Sequence, residues 1–217
     1  MFDAIFLDRD GTISHDPYGY INNVSDYHFF DYTFNALEKL SSLTDKFFIV
    51  TNQSGISTGK VDVENVENIH AFIYDQFEKK GLPLKKIYYA DNYDESFHSF
   101  RKPGIGMFEQ AEKDFGVDLR NSLMIGDSIV DIQAGERCKM KTIFLLTGMG
   151  HDYLSEVEEN CEPYLICDNL LVAAEKLLWT LELFLEEIRT RVKFLRILGL
   201  LLVRLVKVLD IKPQIIY

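Results

Sequence analysis

Four polar clusters carry side chains that could do chemistry: Asp8 with Asp10, Thr51 with Asn52, Arg101 with Lys102, and Asp127 with Asp131. A carboxylate can attack phosphorus and split a hydrolysis into two easier displacements. Asp8 is the candidate for that attack. Asp10, two residues on, lies on the same side of an extended chain. It could protonate the leaving oxygen and later activate water. A carboxylate and a phosphate repel each other. Mg2+ offsets this by binding one or two carboxylates together with the phosphate. Asp8 and Asp127 are the expected side-chain ligands, with Asp131 able to hold the ion's water shell from one helical turn further on. Thr51 would hydrogen-bond the phosphoryl oxygens, and Lys102 would neutralise their charge. An isolated Asp at a strand end also serves as a turn or helix cap, and for Asp131 plain capping stays open.

These clusters matter only if the fold brings them together. Each follows an apolar stretch: Ala4–Leu7, Phe47–Val50, Ile87–Ala90 (with a polar loop running on to Arg101) and Leu123–Ile125. Such runs read as buried strands. Thr142–Leu146 and Tyr164–Cys167 are two more. Helical patterns lie between them at Tyr32–Leu43, at Asn65–Lys80 (stopped by Gly81 and Pro83), at Gly106–Phe115 and at Ile129–Cys138. Alternation of this kind predicts an α/β fold: a mostly parallel, Rossmann-like sheet with helices on both faces and no separate cap domain. In open sheets of this type ligands bind outside the carboxyl ends of the strands, which is where the clusters fall.

Asp8-Arg9-Asp10-Gly11-Thr12 resembles the DxDGT motif of the haloacid dehalogenase superfamily. Thr51 matches that family's second motif, Lys102 its third, and Gly126-Asp127-Ser128-Ile129-Val130-Asp131 its fourth, in the family's order. The match covers roughly residues 3 to 175. It implies a Mg2+-dependent phosphatase that passes through an aspartyl-phosphate on Asp8, with a metal bound by Asp8, Asp127, Asp131 and the backbone carbonyl of Asp10.

Within the superfamily, Thr51-Asn52-Gln53-Ser54-Gly55-Ile56 and Arg101-Lys102-Pro103 resemble the branch of heptose bisphosphate phosphatases and histidinol-phosphatases. That likeness implies substrate contacts from Asp16, Tyr18, Gly19 and Tyr20, from Asn52, Gln53 and Ser54, and from Arg101. An Arg suits a second phosphate because its planar fork can grip it. Two positions depart from the branch. Its zinc loop carries Cys and His where this chain reads Ala90-Asp91-Asn92 and His98-Ser99-Phe100, so no zinc is expected. Ser128 stands where a Lys often follows the fourth-motif Asp, which weakens one phosphate contact.

The expected activity is therefore hydrolysis of a small phosphorylated metabolite, with D-glycero-D-manno-heptose 1,7-bisphosphate (at its 7-phosphate) as leading substrate. Histidinol phosphate and a nucleic-acid 3′-phosphate are the rival substrates. A membrane- or partner-binding module with a vestigial site is the rival of another class. The chain of 217 residues has a net charge of −11, yet residues 188–217 alone carry +6. The body is thus strongly acidic, and no nucleic-acid partner is expected. Cys138, Cys161 and Cys167 form no CxxC pair, which fits free thiols in a reducing compartment. Met1 to Asp10 is too short and acidic for a signal peptide, so a cytoplasmic location is expected.

The resemblance stops near Leu178, dividing the chain into a phosphatase domain (residues 1–178) and an extension (179–217). Trp179–Asp210 reads as a long helix in which Arg189, Lys193, Arg196, Arg204 and Lys207 fall in one stripe. The remaining surface is apolar, and the apolar stretch is too short to span a bilayer. Packing on a partner chain, including a homo-oligomer, peripheral contact with an anionic membrane, or cover for its own domain are the readings of this helix.

Overall fold

The computed structural model describes residues 1–16, 19–94 and 96–208, with residues 195–208 described by their backbone alone. The chain divides into two compact units, Met1–Glu175 and Lys176–Tyr217.

In the first unit six strands form one sheet: β1 (Ile5–Leu7), β2 (Phe47–Asn52), β3 (Leu84–Ala90), β4 (Leu123–Gly126), β5 (Lys141–Leu145) and β6 (Leu165–Cys167). Their spatial order is β3-β2-β1-β4-β5-β6, and every pairing is parallel. Parallel strands need long crossovers. The helices α1 (Thr33–Leu40), α2 (Val63–Lys79), α3 (Gly106–Phe115), α4 (Ile129–Arg137) and α5 (Gly150–Asn160) supply them. The central strand is apolar on both sides because both sides are covered: Ile5, Phe6 and Leu7 are all fully buried. Phe6 stacks on Phe48 and meets Phe108 edge-on, each at 5.1 Å between ring centres, at the heart of a core shared with Met107, Met124 and Ala134.

Register decides where the chemistry lands. Leu7 pairs with Ile49 on one side and Ile125 on the other. The Asp8 amide continues the ladder by donating to the Ile125 carbonyl at 2.9 Å. The ends of β1, β2 and β4 therefore lie side by side, at the point where the strand order reverses direction. That is the crevice in which open α/β sheets hold ligands.

The observed elements match the strands and helices read from the sequence to within a few residues, with two differences. The helix α5 was not expected: only Gly150 and Val157 in it are buried, too few to give an apolar period. The last helix, α6, runs Leu170–Val208 and so begins nine residues before Trp179. Its first turns are core, with Leu170, Ala173 and Ala174 fully buried, and the Asn169 side chain accepts from the Val172 amide at 3.0 Å as a cap. Asp210, the expected end of this helix, lies outside the described residues. Among the described residues no helix is long and apolar enough to cross a membrane.

Candidate active site

Asp8 leaves the end of β1 with only a tenth of its side chain exposed. Lys102 comes from the loop before α3 and is buried beside it. Its ammonium donates to Asp8 Oδ1 at 2.5 Å and to the Val50 carbonyl at 2.7 Å, and forms an ion pair with Asp131 Oδ1 at 2.6 Å. Asn52, at the end of β2, fixes the backbone that carries this lysine. Its Nδ2 donates to the Lys102 carbonyl at 3.0 Å, and its Oδ1 accepts from the Lys102 amide at 2.9 Å. Thr51 is buried one residue before, and its Oγ1 accepts from Gln53 Nε2 at 2.8 Å.

The fourth cluster supplies two buried carboxylates. Asp127 ends β4; its Oδ1 accepts from the Thr12 hydroxyl at 3.2 Å and its Oδ2 from the Met149 amide at 2.9 Å. Gly11 and Gly148 make this fit possible. Both have positive φ (+82° and +50°), and a Cβ on either would overlap the Asp127 carboxylate. Asp131 does two jobs at once. Its Oδ2 accepts from the Ser128 amide at 3.0 Å, capping α4, while its Oδ1 faces Lys102. Asp131 thus caps α4 and faces Lys102 at the same time.

Asp8, Asp127 and Asp131 bring carboxylate oxygens within 4.8 Å of one another. Fully ionised, the three carboxylates would carry two negative charges more than the Lys102 ammonium cancels. Burial first, then the charges of Asp131 and Asp10, push the Asp8 carboxyl up to about 7 against the pull of Lys102. Burial and the charges of Asp8 and Asp131 likewise raise Asp127 well above the usual carboxylate range. For Lys102 burial pulls downward, but Asp131 and Asp8 outweigh it and its pKa rises. A compact, oxygen-only donor set with that charge excess when ionised fits a hard divalent cation such as Mg2+.

Asp10 is the most open carboxylate of the group, with about a quarter of its side chain exposed. Gln53 Nε2 donates to its Oδ2 at 3.2 Å, and Arg9 holds both of its oxygens. The other residues expected at the site lie around it. Arg101 is half-buried; its guanidinium sits 4.8 Å from the Tyr93 ring, and its Nη1 is buried without a hydrogen-bond partner among the described residues. Tyr20 is exposed, packs over Gly55 where a Cβ would overlap its ring, and has Lys60 Nζ 5.3 Å from the ring centre. Ser54, Ser128 and Asp16 are half-buried, and Gly19 is exposed. Tyr18 lies outside the described residues. His98 is mostly exposed and pairs with Glu109 at 2.9 Å, and Cys138, Cys161 and Cys167 form no disulfide.

Sequence reasoning passed over Arg9, Thr12, His70, Gly148 and Met149. For His70 a signal existed: Val66, Ile69, His70, Ile73 and Phe77 form one buried helical stripe. For Gly148 and Met149 there was none, since only the sheet order carries the loop after β5 to Asp127.

A family model described as HAD-hydrolase-like matches residues 99–173. The D-glycero-beta-D-manno-heptose-1,7-bisphosphate 7-phosphatase of Haemophilus ducreyi is 35% identical over 150 residues, covering 66% of this chain and 82% of that one. This chain belongs to the haloacid dehalogenase-like phosphatases. The same-named protein of Pasteurella multocida is 34% identical over 155 residues, covering 68% of this chain and 84% of that one. Among solved structures, the D,D-heptose 1,7-bisphosphate phosphatase from B. bronchiseptica, complexed with magnesium and phosphate, superposes with a TM-score of 0.73. It is 25% identical, with 82% of this chain and 99% of that one covered. The haloacid dehalogenase-like fold and the all-parallel sheet agree with the architecture expected from the sequence.

One pH effect follows for this phosphatase. Burial first, then Arg9, hold His70 down at about 3, whereas an unfolded His titrates near 6.5. Between those values the unfolded chain binds a proton that the folded chain does not. His70 therefore makes folding progressively less favourable as pH falls below about 6.5. His70→Gln should gain stability relative to the wild type as pH drops from 7 to 5, measured by urea denaturation at each pH. A pH-independent difference would show that His70 is not held neutral.

Proposed function

We propose that this chain hydrolyses D-glycero-D-manno-heptose 1,7-bisphosphate at its 7-phosphate, through an aspartyl-phosphate on Asp8, in the cytoplasm. The observation that carries the chemistry is the buried Asp8 carboxylate fixed by Lys102 beside Asp127 and Asp131. The names and coverage of the relatives support the substrate. So does Arg101, whose buried, unpaired Nη1 suits the second phosphate of a bisphosphate.

In the first half-reaction an Asp8 oxygen attacks phosphorus, and the bond to the sugar oxygen breaks. Asp10, open to the outside, gives that oxygen its proton. In the second, Asp10 takes a proton from a water that attacks the same phosphorus; the aspartyl bond breaks and phosphate leaves. Thr51 Oγ and Lys102 Nζ stabilise the phosphoryl oxygens. Asp8, Asp127, Asp131 and the Asp10 carbonyl would hold Mg2+, which offsets the repulsion between carboxylate and phosphate. Asp16, Gly19, Tyr20, Asn52, Gln53, Ser54 and Ser128 would contact the sugar. Asn52 contributes by holding Lys102.

The test is phosphate release with Mg2+ across sugar phosphates, histidinol phosphate and a 3′-phosphorylated oligonucleotide. The heptose bisphosphate should be the preferred substrate. Asp8→Asn should lose at least about a thousandfold in kcat, and a chelator should abolish turnover reversibly. Preference for another ester would overturn the substrate, and undiminished turnover in Asp8→Asn would overturn the mechanism. Arg101→Ala should raise KM for the bisphosphate at least about tenfold, a loss on the scale of one charge-assisted hydrogen bond, yet barely change it for a monophosphate.

The second unit adds a partner contact to the proposal. Trp179, Leu183, Phe184, Val192 and Phe194 are exposed along α6, more apolar surface than a solvated helix ordinarily leaves uncovered. A homo-oligomer through this helix is the reading, with peripheral membrane contact as its rival. Light scattering of the full chain against residues 1–175 should show an oligomer lost on truncation. A monomer that instead floats with anionic vesicles would favour the membrane.

A further inference from the structure

Arg9 lies between the two acids of the DxD motif, yet it is only 1% exposed. A buried guanidinium must use its donors. Nε donates to Asp10 Oδ1 and Oδ2, both at 3.1 Å, and Nη2 to Oδ2 at 2.6 Å. Nη1 turns the other way and meets His70 Nε2 at 3.3 Å. The guanidinium carbon lies 5.8 Å from the Tyr27 ring centre. A guanidinium can only donate, so His70 Nε2 must offer its lone pair and carry its proton on Nδ1. His70 itself is 7% exposed and sits on the inward stripe of α2. It does not touch Asp8, Asp127, Asp131 or Lys102 through any described bond.

We propose that Arg9 and His70 are a positioning pair for Asp10, the proton donor and acceptor of the reaction. His70 fixes the guanidinium at one end, and the guanidinium fixes the Asp10 carboxylate at the other. Asp10 needs such help because it is the most exposed carboxylate of the group, placed to reach a leaving group rather than packed by its surroundings. Gln53 adds a single bond to it, which leaves rotation about the carboxylate axis to be stopped by Arg9. The general acid is thus aimed from α2, an element that supplies no residue to the metal or phosphate groups. This inference rests on the phosphatase reading above.

Aiming a proton donor matters most when the leaving group is poor. An alkoxide leaving from a sugar phosphate needs the proton as the bond breaks; p-nitrophenolate does not. The measurement is kcat/KM on a sugar phosphate and on p-nitrophenyl phosphate, which reads only the steps up to departure of the leaving group. His70→Leu removes the acceptor. It should lower kcat/KM on the sugar phosphate about tenfold, a fraction of what a general acid contributes, while p-nitrophenyl phosphate changes less than about twofold. His70→Gln, whose side-chain oxygen can accept from Nη1, should restore the sugar phosphate rate. Arg9→Lys keeps the charge but loses the fork and should show the same selectivity as His70→Leu; it decides the matter if His70→Leu does not fold. Equal losses on both esters, or no loss on either, would overturn the pair. A wild type that hydrolyses neither ester would instead overturn the phosphatase reading itself.

Discussion

One buried ammonium holds the molecule's chemistry in register. Lys102 donates to Asp8 and the Val50 carbonyl and pairs with the charge of Asp131, and so ties together the end of β1, β2 and the start of α4. Without it, three carboxylates in a dry crevice would repel one another and draw protons to remain neutral. With it they stay together but under-compensated, and a divalent cation suits that residual charge. The arrangement depends in turn on backbone: Asn52 clamps Lys102 from both sides of its peptide, and the parallel register of β1 with β2 and β4 brings Asp8 level with Val50 and Gly126, one residue short of Thr51 and Asp127.

A second layer of constraint surrounds this one. Asp127 is gripped from two directions by segments far apart in the chain, the turn at Gly11-Thr12 and the loop at Gly148-Met149. The only side chain small enough at both turns is none at all, and both turns also need a backbone conformation that glycine adopts without strain. Asp10 belongs to a different neighbourhood, held by Arg9 and Gln53 on the open side. The site thus separates a rigid, charged floor from a more accessible carboxylate at its edge, a division that suits a floor that stays fixed while protons cross above it.

Much of this was legible in the sequence because the key residues follow short apolar runs, and an apolar run that ends in Asp or Thr announces both a strand and its mouth. Asp8, Thr51 and Asp127 sit at such places, whereas Lys102 follows β3 only after a polar loop. Asp131 was ambiguous for a good physical reason: a carboxylate at the third position of a helix can cap it or serve a site, and here it caps α4 with one oxygen and faces Lys102 with the other. Arg9 escaped notice because a charge in a loop motif ordinarily points to water; only the burial of α2 behind it shows otherwise. The helix α5 escaped because two buried residues in eleven make no period. Substrate selectivity is less legible still, since Arg101, Tyr20 and Tyr93 meet through loops whose lengths, not motifs, decide their approach.

The central strand is three residues long, and that brevity has a consequence for synthesis. β1 emerges first from the ribosome but has no stable partner until β2 follows and, some seventy residues after that, β4. Asp8 is thus made well before its neighbours Lys102, Asp127 and Asp131. The loop at Gly148-Met149 must arrive before Asp127 is seated. Such non-local pairing is slow to form, and larger chains gather their parts in stages. A chain cut before Gly148 therefore carries Asp8 and Asp10 without the full set of groups that encloses them in the finished fold.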